Sequence, residues 1–274
     1  MIVVTAASGA YGRLVVDRLL TRAPAGEIAA AVRTPGRVTD LAARGVQVRH
    51  CDYDDPDTLL TAFRGADRLL HVSSPELQPE RRIAQHQAVV DAACATGVGL
   101  VVYTSFLDAD SRADGVTEAH YATERALGAA GIPHTLLRHP FYSEAFLNQG
   151  LRAAISTGEL VDGTGGRGIN TASRVDLAEA AARVLTEDHH GGNAYDFTGS
   201  RWTYPELARA LSEVCGTPVL RRERSQPATG PMGWLEGLVR SGGLERQTGD
   251  LQTVLGRPPT SLHQAVTALF AMPE

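Results

Sequence analysis

Along the first half of the chain, apolar residues come in short β-branched runs, separated by stretches in which they recur every three or four positions. The runs MIVVT, EIAAAVR, VQVRH, ADRLLHVSS, VGLVVYTS and PHTLLRHP predict six strands. Between them DTLLTAF, RRIAQHQAVVDAACATG and TEAHYATERALGAAG have helical spacing, the last two closing on glycines that suit a helix end. The residues after MIVVT also read as a helix, with Val15, Val16, Leu19 and Leu20 on one face. Strands alternating with helices predict βαβ units and therefore a parallel sheet, an α/β fold of the doubly wound Rossmann type.

After Pro140 the pattern changes. A helix-like SEAFLNQGLRAAIS precedes a glycine-rich turn DGTGGRG, a helix RVDLAEAAARVLTE, a short strand AYDFTG, a helix YPELARALSEVCG and a final SLHQAVTALF. The expected division is a Rossmann-type domain over 1–140 and a smaller α/β lobe over 141–274, packed beside the carboxyl ends of the strands. Ser173 and Asp176 have capping-box spacing and are read as structural. The segment RSQPATGPMGWLEGLVRSGGLERQ is rich in Gly and Pro yet carries Met232, Trp234, Leu235 and Leu238. It reads either as a flap over a ligand or as a surface loop with a short packed helix.

Composition removes several classes. With 274 residues and 43% hydrophobic content the chain can bury a substantial core. No apolar run approaches the length of a membrane span, so the expectation is a soluble, cytoplasmic protein without a leader. A net charge of −5 with scattered arginines offers no face for nucleic acid. Cys51, Cys94 and Cys215 show no paired spacing, so no disulfide and no metal site is expected, and they read as small core residues. There is no lysine, all 26 basic residues being arginine, which excludes any mechanism that needs a lysine amine.

The candidate chemistry starts at the first turn. Ala6, Ala7, Ser8, Gly9, Ala10, Tyr11 and Gly12 form a small-x-x-Gly-x-x-Gly pattern directly after a strand and opening a helix. In a dinucleotide fingerprint the middle glycine lets the backbone approach a pyrophosphate, the last lets helix pack on strand, and the helix start offers free N–H groups to the anion. Ala6 stands where the first glycine is usual; it is tolerated at negative φ, and a left-handed backbone there costs about 1–2 kcal/mol. At the end of the second strand, Val32-Arg33-Thr34 lacks an acid for a ribose 2′-hydroxyl, while the forked donors of Arg33 suit a 2′-phosphate. The cofactor expected is NADP(H); the plainer alternative for Arg33 is a solvated surface contact. Ser73, Ser74 and Thr104, at later strand ends, line the expected crevice. Asp52 either accepts from the adenine amine or simply makes the turn in CDYDDPD.

Together with AAAVRTPGR, GVQVRHCDYDD, LLHVSS, VVYTSFLDAD, EAHYATERAL, TLLRHPFYSE and SRVDLAEAAARVL, this turn resembles the NmrA-like branch of the atypical short-chain dehydrogenases, along nearly the whole chain. Within that branch it is most like the bacterial NADPH-dependent quinone oxidoreductases of the second type. The resemblance implies an NADP-binding domain, a small substrate lobe and quinone reduction by hydride transfer. Four residues depart from the family: Ala6, Arg125 where lysine is frequent, and His139 and Pro140 where Asn-Gly is frequent.

Tyr121 and Arg125 are four apart on one predicted helix, so their side chains can meet. The pair resembles the Tyr-x-x-x-Lys of the wider superfamily; arginine can favour a phenolate but cannot relay a proton. Ser105 is the matching candidate to polarise a substrate oxygen. The alternative is a half-buried packing tyrosine beside a solvated arginine. Phe141 and Tyr142 are candidates to flank the nicotinamide and a substrate ring. A quinone that accepts hydride leaves a stabilised anion, whereas a ketone leaves a basic alkoxide that needs an acid. The leading expectation is an NADPH-dependent reductase of quinones or similar aromatics. A ketoreductase of larger aromatic metabolites and a non-catalytic NADP(H) sensor are the alternatives. The partner expected is a small aromatic molecule, with the homodimer that this fold commonly forms.

Overall fold

Burial explains why the apolar runs become strands. In this computed structural model, which describes residues 1–111, 115–226 and 228–271, the strands are β1 (Ile2–Thr5), β2 (Ile28–Val32), β3 (Gln47–His50), β4 (Arg68–His71), β5 (Leu100–Phe106), β6 (His134–His139), β7 (Glu159–Asp162), β8 (Ile169–Asn170), β9 (Ala194–Asp196), β10 (Arg201–Trp202) and β11 (Leu220–Glu223). The helices are α1 (Ala10–Leu19), α2 (Thr39–Ala43), α3 (Pro56–Phe63), α4 (Pro79–Thr96), α5 (Glu118–Ala130), α6 (Leu151–Thr157), α7 (Arg174–Thr186), α8 (Tyr204–Cys215), α9 (Gly230–Arg240), α10 (Asp250–Leu255) and α11 (Leu262–Ala271). Strand β2, IAAAV, is buried at every position, as a strand covered on both faces must be. The main sheet is parallel with order β3-β2-β1-β4-β5-β6-β9. Its order reverses between β1 and β4, the point at which ligands bind in such sheets.

The chain divides into two compact units, Met1–His139 with Leu177–Asp196, and Pro140–Asp176 with Phe197–Glu274. In the first, Phe63, Leu69, Val89, Val101, Tyr103 and Leu127 share one buried cluster between sheet and helices. In the second, β7 pairs with β11 in parallel and β8 with β10 antiparallel. Its core gathers Ile169, Trp202, Leu207, Leu211 and Val239, and α8 is held at its start by a capping box between Thr203 and Glu206.

Several expectations need correction. AYDFTG is divided: Ala194, Tyr195 and Asp196 form β9 and join the main sheet, in register with Leu136, Leu137 and Arg138, whereas Phe197 onward belongs to the second unit, so the lobe over 141–274 is not contiguous. SEAFLNQGLRAAIS is not one helix. A turn at Ser143–Ala145 is followed by a break, where Asn148 Oδ1 accepts from the Gly150 amide at 2.9 Å, before α6 begins. Asp176 donates its amide to Ser173 Oγ at 3.1 Å, but its carboxylate turns to Arg257 and the Thr260 amide. Cys51 is a buried small residue as expected, whereas Cys94 is exposed. The Gly- and Pro-rich segment carries α9, which buries Leu235 and Val239 and leaves Met232 and Trp234 exposed. Among the described residues no helix is long and apolar enough to cross a membrane.

Candidate functional site

Strand β1 ends at Thr5, and the chain turns through Ala6 with φ of 50°, in the left-handed region. The Ala6 carbonyl accepts the Gly9 amide at 2.9 Å, which closes the turn, and Gly9 caps α1 with extended backbone. A Cβ on Gly12 would lie 2.5 Å from the Ala6 oxygen, so this position admits no side chain if helix and strand are to keep their approach. The first amides of α1 have no helical acceptors behind them, and its first turn carries no acidic side chain. The start of α1 is thus shaped and polarised for an anion. Ser8, Gly9 and Ala10 are exposed, whereas Tyr11 is buried, set edge-on to His139 at 5.3 Å, its hydroxyl 3.4 Å from the Leu177 carbonyl.

Arg33 stands exposed just past β2, with no hydrogen bond or ion pair among the described residues. Its charge is felt by Asp54. Asp52 builds the turn, accepting the Asp54 amide on Oδ1 at 3.1 Å. Ser73, Ser74 and Thr104 are gathered at the ends of β4 and β5. The Ser73 amide donates to Thr104 Oγ1 at 2.9 Å, the Ser74 amide to His86 Nε2 at 2.9 Å, and Ser74 Oγ to Gln85.

Among the described residues no hydrogen bond joins Tyr121, Arg125 and Ser105. Ser105 Oγ donates to Glu124 Oε1 at 2.6 Å, and Glu124 is in turn gripped by Arg138 at 2.7 and 2.9 Å. Tyr121 is half-buried and Arg125 exposed, with no hydrogen bond joining them to each other or to Ser105 among the described residues. Phe141 and Tyr142 belong to the second unit, Phe141 against Trp234 at 6.1 Å and Tyr142 beneath the Arg174 guanidinium at 4.6 Å.

Sequence reasoning missed a buried polar network below the ends of β4 and β5. Arg82 Nη2 donates to Ser73 Oγ at 2.5 Å and to His120 Nε2 at 2.9 Å. Because His120 accepts on Nε2, its proton sits on Nδ1 and is given to Tyr103 Oη at 2.8 Å. The same logic fixes His86, which accepts the Ser74 amide on Nε2 and donates from Nδ1 to Thr123 Oγ1 at 2.8 Å. Both histidines are therefore neutral. Burial, reinforced by neighbouring positive charge, holds both well below the usual imidazole range. His71 is fully buried between Tyr53, His86 and Tyr103, with no partner for either ring nitrogen among the described residues, and burial pushes it down to about 3. Burial also lifts the Tyr103 hydroxyl well above the usual range. The signal available in the sequence was Arg82 and His86 one helical turn apart, and His120 in the next helix.

No metal was expected, and one group of ligand type does occur among the described residues. Glu187, His189 and His190 bring their ligand atoms within 4.8 Å of one another. Arg22, 3.7 Å from the other Glu187 oxygen, already supplies that carboxylate with a cation.

A nucleotide-shaped turn at the switch point of a parallel sheet defines a dinucleotide-binding protein. Residues 6–188 match the NAD(P)H-binding family, and the chain belongs to it. Ala6, Gly9, Gly12 and the open start of α1 fit such a cofactor. The chain is 37% identical to quinone oxidoreductase 2 of Escherichia coli (strain K12), over 98% of this chain and 99% of that protein. Among solved structures it is similar to the NADPH complex of the Escherichia coli NADPH-dependent quinone oxidoreductase, with TM-score 0.88, 36% identity and coverage of 98% and 100% of the two chains. It is also similar to Citrobacter sp. triphenylmethane reductase complexed with NADP(H), with TM-score 0.93, 35% identity and coverage of 98% and 100%.

Proposed function

We propose that the protein is an NADPH-dependent oxidoreductase that reduces quinones or quinone-like aromatic compounds. The observation that carries this is the anion-shaped turn at Ala6–Gly12, together with Arg33 past the end of β2 making no hydrogen bond or ion pair among the described residues, in a chain that shares 37% identity with a quinone oxidoreductase along nearly its full length. NADP(H), when bound, supplies a hydride. The α1 amides and the close approach at Gly9 and Gly12 hold the pyrophosphate, and Arg33 takes the 2′-phosphate, which sets the preference for NADP(H). Ser73, Ser74 and Thr104 fix the ends of β4 and β5, and Phe141 and Tyr142 are the side chains we assign to aromatic rings.

A quinone gains two electrons and one proton as hydride and becomes a hydroquinone monoanion, and solvent supplies the second proton. Such a product needs no acid from the protein. That agrees with Ser105 being committed to Glu124 and with Tyr121 making no hydrogen bond to Arg125 among the described residues. The same geometry weakens the ketoreductase alternative. We assign the protein to the cytoplasm and to a homodimer as part of the same reading.

The test is titration with NADPH and NADH, followed by nicotinamide absorbance decay on adding 1,4-benzoquinone or a bulkier naphthoquinone. NADPH is expected to bind more tightly, and Arg33→Gln to lose about tenfold or more for NADPH and little for NADH, the scale of one charge-assisted contact. Binding of neither nucleotide would overturn the proposal. Binding without oxidation by any quinone or ketone would mark a sensor.

A further inference from the structure

Arg82 is a half-buried cation that meets no carboxylate among the described residues. Its partners, Ser73 Oγ and His120 Nε2, are neutral, and its Nε is buried without a partner among the described residues. The nearby acids are committed elsewhere, Asp54 to Arg81 and Gln85, and Glu124 to Arg138 and Ser105. His86 and His120 are locked in neutral tautomers by the bonds they accept. Burial accordingly lowers the pKa of Arg82, and only the Tyr103 hydroxyl pulls it the other way. A desolvated charge left without a counter-charge costs several kcal/mol, so its retention points to an anion that arrives from outside.

The place of the cation indicates which anion. Ser73 follows β4, on the rim of the switch point between β1 and β4. The pyrophosphate has its own receptor at the start of α1, and the 2′-phosphate has Arg33. The remaining negative charge in the reaction is the one that appears on the substrate. Resting on the function proposed above, we infer that Arg82, aimed by Ser73 and His120, receives the anionic oxygen of the hydroquinone monoanion. The neutral quinone carries no such charge, so the contact strengthens as hydride arrives and lowers the barrier to the step. No bond forms to Arg82 and it yields no proton, since guanidinium does not deprotonate; the second proton comes from solvent. Tyr103 and His120 are positioning residues, because the Nδ1–H of His120 bound to Tyr103 keeps Nε2 open to accept from Arg82.

The test uses 4-nitrophenol as a product-like probe, its ionisation followed by the yellow absorbance of the phenolate, with the full-length protein in the presence and absence of NADP+. Wild type is expected to bind the phenolate and to make the bound probe ionise at lower pH than the free one. Arg82→Gln should keep NADP+ affinity and lose phenolate affinity by about tenfold or more, Arg82→Lys should retain part of it and confirm that the site folds, and His120→Gln should fall between. Retained phenolate preference in Arg82→Gln overturns the inference, as does a loss confined to NADP+, which would give Arg82 to the cofactor phosphates. Failure of wild type to bind NADP+ would bring down the proposed function instead, and the measurement without nucleotide then reads the anion receptor by itself.

Discussion

Ala6 is the residue at which local strain and binding meet. Its φ of 50° places an alanine where the first glycine of such a turn usually sits, and a left-handed alanine costs about 1–2 kcal/mol. Ala6→Gly is expected to stabilise the fold by about 1 kcal/mol in urea denaturation, with NADPH affinity equal or improved; a marked loss of affinity would show that the methyl group has a role of its own. His71 carries a different cost, since both ring nitrogens are buried without partners. His71→Leu fills the space without polar atoms and is expected to raise stability by about 1–3 kcal/mol, read from thermal unfolding. The turn glycines were legible in the sequence because their place follows from position relative to a strand end. Arg82, Tyr103, His86 and His120 were not, because they come from three different elements and become a network only when α4 and α5 pack side by side over β5.

At the scale of elements, the six strands and the long helices of the first half were legible from their pattern, most plainly β2, whose coverage on both faces makes it continuously apolar. What escaped were elements defined by partners. Strand β11, LRRE, is polar and its Leu220 is exposed, so nothing in its composition marks a strand; it forms because it pairs with β7. Strand β9 reads as an isolated run and finds its place only through β6. The joint there is Arg138, a buried arginine of β6, held by Glu124 from α5, by Asp110 at 2.8 Å and by Asp196 of β9 at 3.4 Å. Glu124→Gln removes the bidentate partner and leaves two others, so a loss of about 2–3 kcal/mol is expected in chemical denaturation. A loss below about 0.5 kcal/mol, the size of an ordinary surface change, would contradict this account of the joint.

For the whole molecule, buried neutral histidines set the response to acid. His71 and His139 are held to about 3, against 6.5 for an ordinary imidazole, by burial, with Arg82 adding to the effect on His71. The unfolded chain takes up these protons near pH 6.5 and the folded chain only near pH 3. Stability is therefore complete above about pH 6.5 and is lost as pH falls, by about 1.4 kcal/mol per pH unit for each histidine. At pH 5 the two together cost about 4 kcal/mol, and His86 and His120 act in the same direction. Denaturation midpoints compared between pH 7.5 and 5 should show this slope, and His71→Leu should flatten it by one proton. Function at this scale rests on one claim, that a nucleotide fold in which no hydrogen bond joins Tyr121, Arg125 and Ser105 among the described residues reduces quinones without an acid from the protein. The most direct measurement is NADPH oxidation with 1,4-benzoquinone in the wild type and in Tyr121→Phe. The account predicts turnover in both, at rates within about threefold, less than 1 kcal/mol in barrier. Absence of turnover in the wild type, or its loss by two or more orders of magnitude in Tyr121→Phe, the size of a missing general acid, would contradict it.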